Sequence, residues 1–450
     1  MSRVLRIAFA SVLPTAHDGP LLWGLLQAFE DRGLRVQSFL SRALFLPLEG
    51  ATTITGQSAR QLDTWLMSHE TCRQLFARGT TSCDLAVVDG AWDDDLSATR
   101  RGGSLRQLCE WLDLPAVAVV DVAALADCHV PPRPQGVQAV LLHGADCRGP
   151  RLRTLLESLW GIPVVGWLEL EPALRSEVNA LAIGQKPSEE LCRALGARCA
   201  STVDLSCLAK IATARPLPWP AGLPDSESDL EPLANGPQVA GLHIALAYDE
   251  VFNCYFADTL EALEAAGARV TDFSPLADER LPSGADIVYF GCGHPERFAA
   301  ELAANECMVS ALRSHLCDGR RIYAEGGGLA YLCQQIDTGA GQFPAVGALP
   351  AIARRNPQPS APEPVEVRLA RDTWLAPRGA TLRGYLNSFW ELEPAAHLHP
   401  CLDGEHAHDL VCRHQAIGSR LHLHFAVQAP MLRSFFAPHA AALDASIPAM

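Results

Sequence analysis

Short apolar segments alternate with amphipathic helical patterns along most of the chain, and this alternation constrains the fold more than any other feature. In the first half, apolar runs that we assign to strands occur at 5–10, 35–39, 85–88, 116–120, 139–142 and 164–167. Helical patterns stand between them, at 21–31, 61–68, 105–112 and 152–160. Because nearly continuous apolar strands connected by helices are buried on both faces, the pattern predicts a parallel sheet covered by helices on both sides.

The second half repeats this arrangement. Strands are predicted at 243–248, 268–273, 286–291, 320–325 and 421–427, and helices at 258–266, 295–306, 308–318 and 430–436. The stretch 214–240 is rich in Pro, Gly and acidic residues and has no periodicity, as expected of a linker. A second loop is predicted at 355–365. We therefore predict an α/β protein of two doubly wound domains, at 1–213 and 241–450.

Charge and cysteine content narrow the class of protein. The 450 residues carry 36 Lys and Arg against 51 Asp and Glu, a net charge of −15, which disfavours nucleic acid or an anionic membrane as the main partner. No apolar run reaches the length of a membrane span, and the apolar start reads as a buried strand. None of the 15 cysteines forms a C-x-x-C pair, so we expect reduced thiols and a cytoplasmic location.

Several segments occur in an order that resembles one known family. They include TGQSARQLDTWLMS at 55–68, DLAVVDGAWDD at 84–94, GRRIYAEGGGLAYL at 319–332 and SRLHLHF at 419–425. Together they resemble the cobyrinate a,c-diamide synthase family, of the CbiA/CobB type. The resemblance implies an N-terminal P-loop-NTPase-like, dethiobiotin-synthetase-like domain and a C-terminal class I glutamine-amidotransferase-like domain. It also implies that relatives use ATP, Mg²⁺ and glutamine to amidate a corrinoid carboxylate in cobalamin biosynthesis.

The phosphate-binding loop that this resemblance implies is not recognisable. The stretch 11–24 contains no lysine, and the only lysines of the chain are Lys186 and Lys210. A phosphate cradle uses glycine backbone N–H groups and a lysine, and Pro14 cannot donate an N–H. We therefore assign no cofactor to this chain from its sequence, although the resemblance implies ATP and Mg²⁺. Asp89 stands where the family's Mg²⁺ carboxylate would lie, but a solvated acidic loop is the favoured interpretation, because the phosphate cradle that would complete the metal's ligands is missing.

The glutaminase nucleophile is also missing. The family places a cysteine after Y-A-E at a strand–turn–helix elbow, and here Gly326 follows Glu325. Glycine has no side chain, so covalent hydrolysis of glutamine at this position is chemically excluded. Glu325 and His422 are the remaining candidate catalytic side chains, and His422 corresponds to the family's catalytic base. A histidine without its thiol is, however, better explained as a relic or a core residue. The family's second histidine nearby is replaced in Arg383–Asn387.

The loop expected to supply oxyanion-hole N–H groups contains Gly291, Cys292 and Gly293. Cys292 replaces a family glycine. Because its position is expected at the wrong strand end and no local sequence gives it an elbow, we predict a packed thiol rather than a substitute nucleophile.

The segment that the resemblance assigns to the substrate is better preserved. Arg60 can pair with a carboxylate, and Trp65 can stack on a planar macrocycle. Alternatively, Arg60 and Asp63 form an ion pair at the start of a helix, with Trp65 in the core. Both interpretations of Arg60, Asp63 and Trp65 stay open from sequence.

Seven histidines crowd 397–424, with two cysteines among them. Metal binding is one interpretation, but a histidine-rich loop without fixed ligand geometry is favoured.

Three functional hypotheses follow. The first is a pseudoenzyme of this family that binds a corrinoid, another tetrapyrrole or a partner protein. The second is an amide ligase that uses free ammonia, and the third is a metal-binding accessory protein. A homo-oligomer is compatible with all three.

Overall fold

The structure, a computed structural model, describes residues 4–12, 19–45, 50–92, 102–123, 125, 130–144, 149–212, 241–395 and 398–437. The chain divides into two compact units, Met1–Leu223 and Pro224–Met450. The predicted linker at 214–240 lies outside the described residues. Within the described ranges, no helix combines the length and the apolar character needed to cross a membrane.

The first unit is built on one parallel sheet of seven strands in the order β3-β2-β4-β1-β5-β6-β7. The strands are β1 (Leu5–Ser11), β2 (Val36–Leu40), β3 (Arg60–Gln61), β4 (Leu85–Ala91), β5 (Ala116–Asp121), β6 (Val137–His143) and β7 (Val164–Leu168). Strands on both sides of β1 place their carboxyl ends at one edge of the sheet, which is where open α/β sheets bind ligands.

Eight helices accompany this sheet within the described residues. They are α1 (Gly19–Glu30), α2 (Ala51–Thr55), α3 (His69–Gly79), α4 (Leu105–Leu112), α5 (Gly149–Trp160), α6 (Pro172–Ala180), α7 (Glu189–Thr202) and α8 (Leu205–Ala212). Ile7 and Phe9 of β1 share a hydrophobic cluster with α1 and α8. The predicted parallel sheet is confirmed.

One predicted helix in this unit is wrong. The segment 61–68 contains the end of β3 and a turn, and the helix follows at His69–Gly79. The Ser68 side chain accepts a hydrogen bond from the Thr71 N–H and so caps α3. The apolar spacing of 61–68 resembles a helix, but pairing of Arg60–Gln61 with β2 and the cap at Ser68 decide the local structure.

The second unit contains a main sheet in the order β10-β8-β11-β13-β22-β21-β20, parallel as far as β22 and antiparallel beyond it. Smaller sheets pair β12-β9, β15-β14-β16-β19 and β17-β18-β23. The first strands of this unit are β8 (His243–Ala247), β9 (Phe252–Cys254), β10 (Arg269–Phe273), β11 (Ile287–Phe290), β12 (Cys292–Gly293), β13 (Arg321–Glu325), β14 (Cys333–Asp337) and β15 (Gln342–Pro344). They are followed by β16 (Leu349–Arg355), β17 (Glu363–Arg368), β18 (Thr381–Leu386), β19 (Trp390–Pro394), β20 (His399–Pro400), β21 (Leu410–Arg413), β22 (Ala416–Ser419) and β23 (Leu421–His422).

The helices of the second unit are α9 (Ala257–Ala265), α10 (Ala299–Ala304), α11 (Glu306–Cys317), α12 (Gly327–Leu332) and α13 (Ala429–Phe435). The predicted strand 421–427 is wrong beyond His422, because a short 3-10 helix at Phe425–Val427 follows. The predicted helix 295–306 is divided between a 3-10 turn at Pro295–Arg297 and α10. The α/β class of both units is nevertheless confirmed.

Candidate active site

The candidate site lies where the central strand β13 ends and α12 begins. Gly326 stands between them with φ 50° and ψ −109°, and its N–H donates to the carbonyl of Ser419 at 2.8 Å. A positive φ with this ψ is strained for a residue with a side chain, and sharp strand-to-helix turns of this kind present nucleophiles in many hydrolases. The backbone of the elbow is therefore formed, but it carries no reactive atom.

The glycines that follow Gly326 let another loop approach the elbow closely. A Cβ on Gly328 would lie 2.6 Å from the Cβ of Phe290 and 2.8 Å from the carbonyl oxygen of Gly291. A Cβ on Gly327 would meet the carbonyl oxygen of Gly293 at 2.3 Å. Close packing of the 290–293 segment thus requires glycine at both positions.

Cys292 lies directly against the elbow. Its Sγ is 2.9 Å from the position that a Cβ on Gly326 would occupy. The prediction that Cys292 lies at the wrong strand end is incorrect, because β11 and β13 are parallel neighbours whose carboxyl ends coincide. Its thiol is fully buried, and burial, followed by the nearby Glu325, raises its pKa. A neutral thiol is a poor nucleophile, so the prediction that Cys292 is a packed thiol stays favoured.

The three residues of the expected oxyanion loop are held by backbone pairing and by Tyr255. Cys292 and Gly293 form β12, which pairs with β9. The Gly291 N–H donates to the hydroxyl of Tyr255 at 2.9 Å. That donor already has a partner within the protein, so it is not directed at a substrate.

His422 makes its hydrogen bond to an amide. The Nδ2 atom of Asn387 lies 3.0 Å from Nε2 of His422. The amide orientation is fixed, because Oδ1 of Asn387 accepts the N–H of Phe389 at 2.7 Å. Asn387 therefore donates to Nε2, which must be the unprotonated nitrogen of a neutral ring.

The charge state of the histidines agrees with this hydrogen bond. Burial lowers the pKa of His422 and of His424 to about 4 each. The ring of His424 stacks on Phe256 with a centroid distance of 4.6 Å. Both histidines are neutral near pH 7, and His424 belongs to the core.

Glu325 completes the buried centre. Burial raises its pKa to about 8, and the opposing hydrogen bonds from Tyr323 and Leu423 do not offset that effect. The Tyr323 hydroxyl donates to Oε1 of Glu325 at 2.7 Å. The carboxyl group is therefore mostly protonated near pH 7 and has the role of a buried hydrogen-bonding group.

In the first unit, Asp89 lies near the carboxyl end of β4, between Phe9 of β1 and Leu40 of β2. Asp93–Asp95 and the loop residues 13–18 lie outside the described residues. The first turn of α1 contains Pro20, which lacks an N–H, and Trp23 of the next turn is buried. These residues do not fit a phosphate cradle, so we derive no step through ATP or Mg²⁺.

The predicted substrate residues differ in their structural roles. Asp63 is fully buried, and its oxygens accept the N–H groups of Ala43, Trp65 and Leu66 at 3.0, 2.9 and 3.1 Å. These contacts explain Asp63 as a residue that organises the turn. Arg60 and Trp65 are half-buried at the carboxyl end of β2 and β3 and in the turn after it, so they stay candidates for ligand contact.

The histidines of 397–424 are distributed rather than gathered. His406 bonds to Asp409 at 2.8 Å, His422 bonds to Asn387, and His424 is in the core. His397 lies outside the described residues. In the part of the chain that the structure describes, no three His, Cys, Asp or Glu side chains converge as metal ligands.

Asn387 is the site residue whose role the sequence did not reveal. It is recognisable only as the last residue of a degenerate motif, with no sign of its contact to His422 thirty-five positions away. The antiparallel pairing of Tyr385 with His422 brings β18 and β23 together and creates that contact.

The chain is similar to known proteins in its second unit and along most of its length. Residues 243–430 match the CobB/CobQ-like glutamine amidotransferase domain. The cobyrinate a,c-diamide synthase of Dehalococcoides mccartyi is 27% identical, across 96% of this chain and 97% of the relative. The hydrogenobyrinate a,c-diamide synthase of Streptomyces coelicolor is 28% identical, across 96% and 97%. A solved glutamine amidotransferase covers 44% of this chain and 97% of its own, with 17% identity and a TM-score of 0.34. The chain is therefore similar to cobyrinate a,c-diamide synthases over most of its length, and its second unit matches a CobB/CobQ-like glutamine amidotransferase domain.

Proposed function

We propose that this protein is a non-hydrolysing member of the cobyrinate a,c-diamide synthase family that binds a corrinoid or a related tetrapyrrole carboxylate. The observation that carries the proposal is Gly326, which occupies the elbow with φ 50° and has no side chain. Transfer of an amide nitrogen from glutamine through a covalent intermediate needs a sulfur or oxygen atom at this position. Such a step has no nucleophile here.

His422, the candidate general base, is already hydrogen-bonded to another side chain. Nε2 of His422 accepts a hydrogen bond from Asn387, 3.0 Å away. A histidine that accepts from a fixed amide is not available to remove a proton from a thiol. Support for the loss of glutaminase chemistry therefore comes from two independent positions, Gly326 and Asn387.

Two side chains of the first unit, Arg60 and Trp65, support the binding role. Arg60 and Trp65 are partly exposed near the carboxyl edge of the parallel sheet, and they offer a guanidinium and an indole within one short segment. A guanidinium pairs with carboxylates in bidentate geometry, and an indole stacks on a flat conjugated ring. Two relatives are named for cobyrinate and hydrogenobyrinate, which is the basis for proposing a corrinoid as the ligand.

The test is a titration of the full chain with cobyrinic acid, followed by the absorbance of the corrinoid. We expect saturable binding that weakens by about tenfold in Arg60→Gln, the loss of one charge-assisted pair. Arg193→Gln is the matched control, because Arg193 pairs with Glu189 on the surface of α7. Saturable binding that is equal in both variants would remove Arg60 from the site, and no binding to the unmodified chain would overturn the proposal.

A second experiment separates binding from catalysis. The same protein is incubated with cobyrinic acid, ammonium, ATP and Mg²⁺, and amidated products are separated by mass. We expect to detect only unmodified cobyrinic acid and no amidated product. Amidation that depends on ammonium would replace the binding role by that of an ammonia-dependent ligase.

A further inference from the structure

Two cysteines far from the elbow lie side by side on neighbouring strands. In the antiparallel pair β20 and β21, His399 is opposite Cys412, and the N–H of Cys401 donates to the carbonyl of Leu410 at 2.8 Å. Cys401 is therefore opposite Leu410, two residues from Cys412. Side chains two residues apart on a strand share a face, so the two cysteines are diagonal neighbours on one side of the sheet.

The two thiols influence each other's ionisation. The neighbouring Cys401 is the largest cause that lowers the pKa of Cys412, and Cys412 is the largest cause that raises the pKa of Cys401. The Sγ of Cys401 lies 3.7 Å from the carbonyl oxygen of His399, the residue opposite Cys412. Diagonal neighbours on antiparallel strands are about 7–8 Å apart, just beyond the Cα separation of a disulfide, so oxidation of the pair requires a backbone shift that draws the two segments together.

An arginine stands beside this pair. The N–H of Ala370 donates to the carbonyl of Cys401 at 2.8 Å, and Leu369 forms an antiparallel bridge with Leu402. These backbone contacts bring Arg371 next to the pair, where its positive charge is a further cause that lowers the pKa of each thiol. A guanidinium stabilises a thiolate, which is the nucleophilic form of cysteine.

Burial differs between the two cysteines. Cys401 is fully buried in the hydrophobic cluster that includes Leu402 and Leu410. Cys412 packs at the margin of the same cluster and is partly exposed. The partly exposed thiol of Cys412, beside an arginine, is suited to react first, and the buried thiol of Cys401 is placed to react with it next.

We propose that Cys401 and Cys412 form a thiol–disulfide exchange site that a low-molecular-weight disulfide, such as oxidised glutathione, converts to an intramolecular disulfide. The Cys412 thiolate attacks one sulfur of the glutathione disulfide, and one glutathione leaves as a thiolate that takes up a proton. The Cys401 thiol then loses its proton and attacks Sγ of Cys412, which releases the second glutathione. The two protein thiols are oxidised together, and one disulfide is reduced to two glutathione molecules. The product joins the edge strand β20 covalently to β21.

The first test is a redox titration of the full chain in glutathione buffers of increasing oxidised fraction, with alkylation of the remaining thiols in acid. Trypsin leaves residues 384–413 as one peptide, because no Lys or Arg lies between Arg383 and Arg413. We expect this peptide to become lighter by two hydrogen atoms with a single midpoint, while Cys307, an exposed thiol, stays reduced or carries glutathione. A peptide 384–413 that keeps both thiols when Cys307 is fully glutathionylated would overturn the proposal.

The second test keeps both cysteines and changes the arginine. Arg371→Gln removes the guanidinium at Cys412, and we expect the reaction of reduced Cys412 with oxidised glutathione to slow by about three- to tenfold at neutral pH. Arg378→Gln is the control, since Arg378 belongs to the same exposed loop. Equal rates in the two variants would contradict activation by Arg371. In Cys401→Ser, we expect the reaction to stop at glutathione bound to Cys412, and an unmodified Cys412 would contradict the order of attack.

Discussion

The side-chain amide of Asn387 holds the ring of His422, with 3.0 Å between Nδ2 and Nε2. This contact replaces the one that a catalytic histidine makes to a nucleophile. A Cβ on Gly326 would lie 3.9 Å from the same Nδ2 atom, so the amide occupies the space between the elbow and the histidine. Gly326, Asn387 and His422 therefore form one local site, in which the thiol is absent and the amide takes its place beside the histidine.

Asn387→Asp is expected to raise the pKa of His422. Burial lowers that pKa to about 4. A carboxylate at hydrogen-bonding distance favours the charged ring and raises an imidazole pKa by about 1–3 units. The titration of the ring protons by NMR measures the shift. Asn387→Ser, which adds no charge, is the control, and equal pKa values in both variants would contradict the contact.

Restoration of the thiol alone is expected to fail. Gly326→Cys places a Cβ 2.9 Å from Sγ of Cys292 and leaves His422 bonded to Asn387. We expect no glutamate release from this variant. The variant that combines Gly326→Cys, Cys292→Gly and Asn387→Gly removes both obstacles, and its thiol at position 326 should react with a glutamine-like electrophile fastest of the series. A single Gly326→Cys variant that reacts as fast as the combined one would show that neither Cys292 nor Asn387 obstructs the elbow.

Glu325→Gln is expected to change how the stability of the second unit depends on pH. The folded pKa of Glu325 is raised from 4.5 to about 8, so the folded state binds the proton more tightly than the unfolded chain. The stability that this protonation contributes is complete below pH 4.5 and is lost as pH rises towards 8. Glutamine does not titrate, so the variant should gain stability relative to the unmodified chain as pH rises.

The measurement for Glu325 is thermal unfolding of both proteins in buffers between these two pH values. His422 and His424, whose pKa values are lowered to about 4, destabilise the fold on the acid side in both proteins, and that effect cancels in the difference. We expect the difference in unfolding free energy to change by more than about 1 kcal/mol across the range. A constant difference would contradict the raised pKa.

Gly328→Ala is expected to destabilise the second unit by about 1–3 kcal/mol, because the added Cβ would overlap the backbone carbonyl of Gly291 and the Cβ of Phe290. Gly341→Ala is the control, since its added Cβ would meet only the ring of Phe343, at 3.3 Å. Urea unfolding of the two variants gives the comparison. Equal loss in both would contradict the close packing of the 290–293 segment against α12.

The parallel core of both units could be predicted from sequence, and the reason is visible in β1 and β13. Ile7 to Ala10 and Ile322 to Ala324 are fully or almost fully buried, and continuous apolar runs of this kind are characteristic of central parallel strands. Segments stabilised by edge pairing or capping were missed. Arg60–Gln61 forms a strand because it pairs with the edge of β2. The Asp63 carboxylate then accepts backbone N–H groups of the turn that follows.

At the site, sequence order could identify the elbow and Gly326 but not the neighbours that come from other strands. Cys292 meets Gly326 because β11 and β13 are adjacent, and Asn387 meets His422 because β18 pairs with β23. Both contacts depend on strand pairing between segments that are far apart in the chain. The family resemblance could not predict these two contacts, because the family's motifs are changed at these positions.

The most direct test of the central claim is the release of glutamate from glutamine by the full chain, measured with and without cobyrinic acid, ATP and Mg²⁺. We predict no release above that of buffer alone, under either condition. Release that disappears in Cys292→Ala or in His422→Asn would show that this centre hydrolyses glutamine, and it would contradict the account.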